Sequence, residues 1–320
     1  MKKGPAEKER KNEPDLGFDG QIVVIVDRDI SLVAEPDTIV FGEGSELEDF
    51  EFIRLLSRRF FIDNFVLKHP DAPRVYLDCI EKEFKSLFRR LCRRHGTKIA
   101  RTIMEGRIKM SVLLDTAGGN TGLARIISES LKQITARGGR TDAYVPRRAS
   151  SAGADIFANA QNRYVLTESR LMWHLSNITS GAISTDWKTK EELERKKEEE
   201  MAELRTMLGG IASADKRPEM LARIHEAEAD ENNPDNSICF TGREFYEYGA
   251  VTRMFENVLA MRKHFNRSTG ICDNSRIDTF FLKSGIAVDV LGPGVLKKAG
   301  VNGRALVQAI AQFLQERKKI

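Results

Sequence analysis

A hydroxyl beside an imidazole is the pairing that acyl transfer requires, because the imidazole removes the proton that keeps the oxygen a poor nucleophile. Ser151 and His174 are candidates for that pair, and the glycine pair Gly118-Gly119 precedes them at the end of the run Leu113-Leu114-Asp115-Thr116-Ala117. Glycines carry no Cβ, so their backbone N–H groups can approach a reacting carbonyl. Ser151 lies between a strand-like run, Ala143-Tyr144-Val145-Pro146, and a helix-like run from Ala152 to Ala160. It therefore stands at a helix N-terminus, where unpaired amides and the positive end of the helix dipole collect. An oxyanion formed there is expected to rest on the Ala152 N–H and on the Gly118-Gly119 turn. His174 follows the short apolar run Leu171-Met172-Trp173, at a strand end from which it can take the Ser151 proton.

Each piece alone has a plainer reading. Gly118-Gly119 would serve as a tight turn, Ala149 to Ala154 as a small-residue helix on a sheet, and His174 as a core histidine. Their joint order favours catalysis, since all three would have to fall in sequence by accident.

In order and spacing these pieces resemble the proteolytic subunit of the Clp protease family, within the Clp/crotonase superfamily. Thr116-Ala117-Gly118-Gly119 stands where that family has Ser-Pro-Gly-Gly, and Ala149-Ser150-Ser151-Ala152-Gly153-Ala154 where it has Ala-Ala-Ser-Met-Gly-Ala. Arg163-Tyr164-Val165-Leu166, Glu168-Ser169 and Met172-Trp173-His174 parallel its Arg-Tyr-Ala-Leu, Asn-Ser and Met-Ile-His, and Glu247-Tyr248-Gly249-Ala250-Val251 its Glu-Tyr-Gly-Leu-Val. The resemblance spans 38–41 and 110–251, leaving much of both terminal thirds outside it. It implies a nucleophile role for Ser151, a base role for His174, and peptides or unfolded polypeptides as substrate. It also implies an α/β fold whose core is a spiral of repeated ββα turns with a protruding helical handle, a homo-oligomeric ring, and an ATPase unfoldase as a partner. The position matching the family's triad aspartate falls on Ser237, and the nearest acid, Asp235, lies two residues earlier. Asp235 is the preferred third member, with a Ser-His dyad or a role for Ser237 left open. The third member orients and stabilises the imidazolium, so its loss weakens catalysis without removing its logic.

The elements that must position these residues are legible as periodicities. Ile22 to Val26 and Thr38 to Phe41 read as buried strands, and Phe50 to Phe61 as a helix. Val75 to Arg94 is a helix with a stripe of Leu77, Ile80, Phe84, Leu87, Phe88 and Leu91. Strand Lys109 to Leu114, helix Thr121 to Ala136 and the strand near Ala143 alternate as a layered α/β protein with mostly parallel strands does. The run Ile178 to Asp186 resembles the family's handle strand. Thr189 to Leu208 reads as a charged helix opened by a Thr189–Glu192 capping box, and Glu228 to Asn236 as a linker returning to the site. Phe280-Phe281-Leu282 and Ile286-Ala287-Val288 read as short buried segments, and Arg304 to Arg317 as an amphipathic helix. The division expected is a disordered tail at 1–20, an α/β core with an N-terminal helical insertion at 21–174, the handle at 175–235, and the end of the core with a C-terminal extension at 236–320.

Composition narrows the classes. With 320 residues and 41% hydrophobic content the chain can bury a sizeable core. The 51 basic and 47 acidic residues nearly balance, which argues against nucleic acid as the partner. The cluster Arg89, Arg90, Arg93 and Arg94 reads as a solvated or ion-paired face. Four cysteines without metal spacing indicate reduced thiols in a cytoplasmic protein. No run approaches the length of a membrane span, and no ligands for a metal or organic cofactor stand out. Two other classes remain: a crotonase-like acyl-CoA enzyme, which needs the paired amides but no Ser-His pair, and a non-catalytic Clp-like scaffold subunit. In the peptidase, an extended substrate is expected to pair with the backbone near Gly119-Asn120-Thr121.

Overall fold

The computed structural model describes residues 18–31, 35–42, 45–68, 74–105, 107–174, 190–230, 233 and 237–288. Its elements are β1 (Gly20–Val26), β2 (Asp37–Gly42), β3 (Ser45–Glu48), α1 (Glu51–Lys68), α2 (Arg74–His95), α3 (Thr97–Glu105), β4 (Ile108–Leu114), α4 (Thr121–Ala136), β5 (Arg140–Val145) and β6 (Arg148–Ser150). There follow α5 (Ala152–Ala158), β7 (Asn162–Leu166), β8 (Arg170–Trp173), α6 (Lys190–Ile211), α7 (Arg217–Ala229), β9 (Ile238–Thr241), α8 (Gly242–Glu247), β10 (Arg253–Phe255), α9 (Val258–Thr269) and α10 (Ser275–Val288).

The fold is mixed α/β. Seven strands form one sheet in the order β10-β7-β5-β4-β1-β2-β3, parallel from β10 through β1 and antiparallel at the β2-β3 edge. The apolar runs of β1 and β4 are buried on both faces, as central parallel strands must be when helices cover each side. Side-chain alternation divides them: Ile22, Val24 and Val26 join the core with α1, α4 and α5, whereas Val23 and Ile25 meet α9 and α10 on the opposite face. A second sheet, β6-β8-β9, pairs β6 with β8 in parallel and β8 with β9 in antiparallel.

The strands and helices expected on either side of Ser151 occur within a few residues of their predicted bounds. The C-terminal segments do not occur as expected. Phe280-Phe281-Leu282 and Ile286-Ala287-Val288 are parts of the single helix α10, in which Ile277, Phe280, Phe281 and Ser284 are buried at helical spacing. Asn274 starts that helix, its Oδ1 accepting from the N–H groups of Arg276 and Ile277. The expected linker from Glu228 overlaps the end of α7, which packs against α6 through buried Met220 and Ile224 and through Arg205, paired with both Glu228 oxygens. The arginine cluster is partly engaged within the chain, Arg90 with Glu51 at 2.7 Å and Arg94 with Asp49 at 2.8 Å. Of the tail expected at 1–20, Gly20 instead opens β1, while residues 1–17, the expected handle strand, Thr189 and the helix at 304–317 lie outside the described residues. Among the described residues no helix is long and apolar enough to cross a membrane.

Candidate active site

Ser151 connects β6 to α5 with φ 52° and ψ −125°, and among the described residues no other non-glycine has a positive φ. Such a conformation is sparsely populated by L-residues and persists only where surrounding bonds over-determine it. Here they do. The Ser151 N–H donates to Met172 O at 2.7 Å, while its carbonyl accepts from Ala154 N at 2.8 Å and Asp155 N at 3.1 Å. A sharp strand-to-helix turn of this kind lifts a hydroxyl away from its own backbone. Gly153 lets the helix begin so abruptly, since a Cβ there would lie 2.4 Å from Thr116 Cγ2.

The glycine bend lies against this turn. Gly118 and Gly119 have φ of 109° and 126°, open only to glycine. A Cβ on Gly118 would stand 2.7 Å from Ser151 Cβ and 3.4 Å from Ser151 Oγ, and one on Gly119 only 2.2 Å from Ile30 O. The bend is stitched to Ile30, whose N–H donates to Gly118 O at 2.7 Å and whose carbonyl accepts from Asn120 N at 2.8 Å. Gly118 N–H donates to Thr116 Oγ1 at 3.0 Å and is thus committed to the bend itself. Among the described residues, neither the Gly119 N–H nor the Ala152 N–H has a backbone partner. Ile30 thus occupies the edge at Gly118 and Asn120 where an extended substrate is expected to pair. The Gly119 amide faces the other way, as alternate residues of a ladder do.

His174 comes directly after β8, half-buried. Ser150 pairs with Met172 in the β6–β8 ladder, so the chain leaves β6 at Ser151 beside the point where β8 runs into Trp173 and His174. The carboxyl ends of β4, β6 and β8 therefore deliver Gly119, Ser151 and His174 to one region of the molecule. Continuing the β8–β9 register by one residue sets Ser237 opposite His174. Ser237 Oγ donates to Asn233 Oδ1 at 3.0 Å, and Asn233 Nδ2 returns a bond to Ser237 O at 3.0 Å. Asp235 lies outside the described residues.

An acid that the motifs did not single out is Asp155, on α5. Burial pushes its carboxyl up to about 6, while the Trp173 indole and the charges of His174 and Lys132 draw it partway back down. In the sequence it reads only as a first-turn acid on a small-residue helix. It is half-buried, and that cover follows from α5 packing against β8, which no local pattern specifies.

Aromatic rings hold these strand ends together. Trp173 stacks on Phe245 with centroids 5.4 Å apart, Phe240 meets Phe245 edge-on at 4.9 Å, and Phe157 of α5 approaches Phe245 at 6.2 Å. At the ends of β4 and β5, Arg147 Nε donates to both Asp115 oxygens at 2.8 and 3.0 Å. Buried Ser169 Oγ bridges Leu166 N and Val145 O, fixing the turn that starts β8. A surface hollow lined by Asp19, Thr97, Lys98, Arg101, Thr102 and Glu105 lies at the opposite end of β1 and β4, away from these groups.

No family model matches the chain, and no curated protein matches it. Among solved structures it is similar to a point mutant of ClpP1 from Listeria monocytogenes, with 15% identity and a TM-score of 0.36, over 73% of this chain and 91% of that one.

Proposed function

We propose that the chain is a serine peptidase that hydrolyses unfolded or short polypeptides. The observation that carries the reading is the strained Ser151 turn with the Gly118-Gly119 bend packed directly against it. In this mechanism His174 takes the Ser151 proton and the alkoxide attacks a peptide carbonyl. The N–H groups of Gly119 and Ala152 hold the oxyanion, aided by the positive end of α5. His174 then protonates the leaving amine, and water, deprotonated by His174, releases the acyl group. Gly118 contributes geometry rather than a donor, its N–H being bonded to Thr116. Asp235 remains the sequence's candidate for the third member.

The same proposal includes assembly into a homo-oligomeric ring, with the region from 175 to 235 as the handle, an ATPase unfoldase as partner, and a cytoplasmic location. Two backbone amides alone would also suit a thioester enolate, but that chemistry gives no reason to strain a serine between them. Intact-mass analysis after fluorophosphonate treatment, with the adduct mapped, tests the nucleophile. The expected adduct is on Ser151. Ser151→Ala should lower peptidase turnover by about three or more orders of magnitude. Turnover unchanged in that variant, or stabilisation by acyl-CoA with no labelling, would defeat the reading.

A further inference from the structure

Gly119, Ser151 and His174 each follow, by four residues, one member of a linked set: Asp115, Arg147 and Arg170. Arg147 makes both links. Its carbonyl accepts from Arg170 N at 2.8 Å, and its guanidinium Nε donates to the two Asp115 oxygens at 2.8 and 3.0 Å. Beyond these links the segments run the same way, since Thr116 bridges Ala149 in parallel and β6 pairs with β8 in parallel. Parallel pairing carries the register set at the links forward to the strand ends. The backbone contact between the β4 end and β6 is short: Thr116 N–H donates to Arg148 O and Ser150 N–H to Thr116 O, each at 3.1 Å. A pairing that brief specifies register weakly, so the ionic link at its entrance matters. The Asp115 side chain is 6% exposed, and its carboxylate also accepts from Ser284 Oγ of α10 at 3.4 Å. A carboxylate so enclosed keeps its place while its charge is met, which binds it to the guanidinium.

We infer that Arg147 is a positioning residue of the site, holding the glycine bend, the Ser151 turn and the strand that leads to His174 in register through Asp115 on one side and Arg170 on the other. The inference rests on the peptidase reading for its catalytic meaning but not for the register. Attack and oxyanion binding need the hydroxyl and the amides placed together, and an error of about 1 Å in that placement costs about 100-fold in rate. Arg147 therefore acts on the step that forms the bond to Ser151 rather than on the affinity of the first encounter.

The test uses the full chain and resolves fluorophosphonate labelling of Ser151 into an encounter constant and a bond-forming rate. Arg147→Ala should slow bond formation by about 10- to 100-fold and leave the encounter constant within about twofold. Because the Arg147 side chain is 41% exposed, ethylguanidinium can enter the space left and should restore most of the rate, whereas the uncharged N-ethylurea should not. Asp115→Asn should show the same loss without rescue. Arg147→Lys keeps the charge and the stem and should lose less, which gives a graded readout if the alanine variant folds poorly. Hydrogen exchange in peptides spanning 116–120 and 151–155 should quicken in Arg147→Ala and slow again with ethylguanidinium. A folded Arg147→Ala chain whose labelling and exchange are unchanged, or whose loss ethylguanidinium does not restore, overturns the inference. If wild-type Ser151 never reacts with the probe while exchange in both segments still answers to Arg147 and ethylguanidinium, the peptidase reading fails and the register tie stands.

Discussion

At Ser151 a non-glycine residue holds φ 52°, a conformation that costs about 1–3 kcal/mol. Glycine adopts it freely, so Ser151→Gly should be about 1 kcal/mol more stable to urea than Ser151→Ala, although neither would label. Gly119 presents the opposite case. A methyl at 119 would overlap the Ile30 carbonyl, which is backbone and cannot rotate away. Gly119→Ala should therefore destabilise the fold by more than about 2 kcal/mol and abolish labelling, as urea denaturation and mass analysis would show. At Asp155 the sign follows from linkage. Its folded-state pKa of about 6 exceeds the ordinary 3.8, so the folded chain binds the proton more tightly. The stability this gives is present below pH ~3.8 and is lost as pH rises through about 6. Asp155→Asn should consequently exceed wild type in stability at pH 7 by about 2 kcal/mol, with the gap closing below pH 4. A carboxylate kept in place against its own desolvation is what a functional role would require.

Among the elements, β8 matters most for the site, because it carries His174 and touches both β6 and β9. Its hold on α5 and α8 is the ring cluster around Phe245, which is fully buried. Phe245→Ala should cost about 3–5 kcal/mol in thermal or urea unfolding. It should also slow labelling at temperatures where the chain is still folded, since Trp173 would lose its stacking partner one residue before His174. The elements themselves differ in how much of them the sequence revealed. Strands β1 and β4 and helix α4 were legible because uninterrupted apolar runs and a single buried stripe have few alternative explanations. Helix α10 was not, because two apolar clusters separated by Lys283-Ser284-Gly285 read as separate pieces until Ser284 is seen facing the core, bonded toward Asp115.

At the scale of the whole molecule, the parallel strands are joined to the α9 layer by a buried ionic group. Lys109 of β4 is within 3.1 Å of Asp142 of β5 and also donates to Ser268 of α9, while Arg140 lies 3.0 Å from the same carboxylate. Lys109 is 1% exposed and Asp142 not at all. Lys109→Met leaves a buried charge under-compensated and should cost about 3–5 kcal/mol in denaturant unfolding. Nearby, burial and the Arg253 charge push His264 down to about 4. The unfolded chain then binds that proton more tightly, so stability falls as pH drops from about 6.5 toward 4, and His264→Phe should flatten that part of the profile. The proposed ring makes a further statement at this scale: light scattering should give a mass well above 36.1 kDa, and a single-chain mass at working concentration would remove assembly from the proposal.

The order of chemistry along the chain was determined by sequence alone. A glycine pair, a serine at a helix start and a histidine at a strand end are local features, each set by residue type and immediate neighbours. The fate of each amide was not local. Gly118 N–H is spent on Thr116, and Gly119 N–H points away from Ile30, through contacts between segments far apart in the chain. Nor was the setting of Asp155 local: only the packing of α5 against β8 gives its carboxyl enough surrounding protein to be pushed up to about 6.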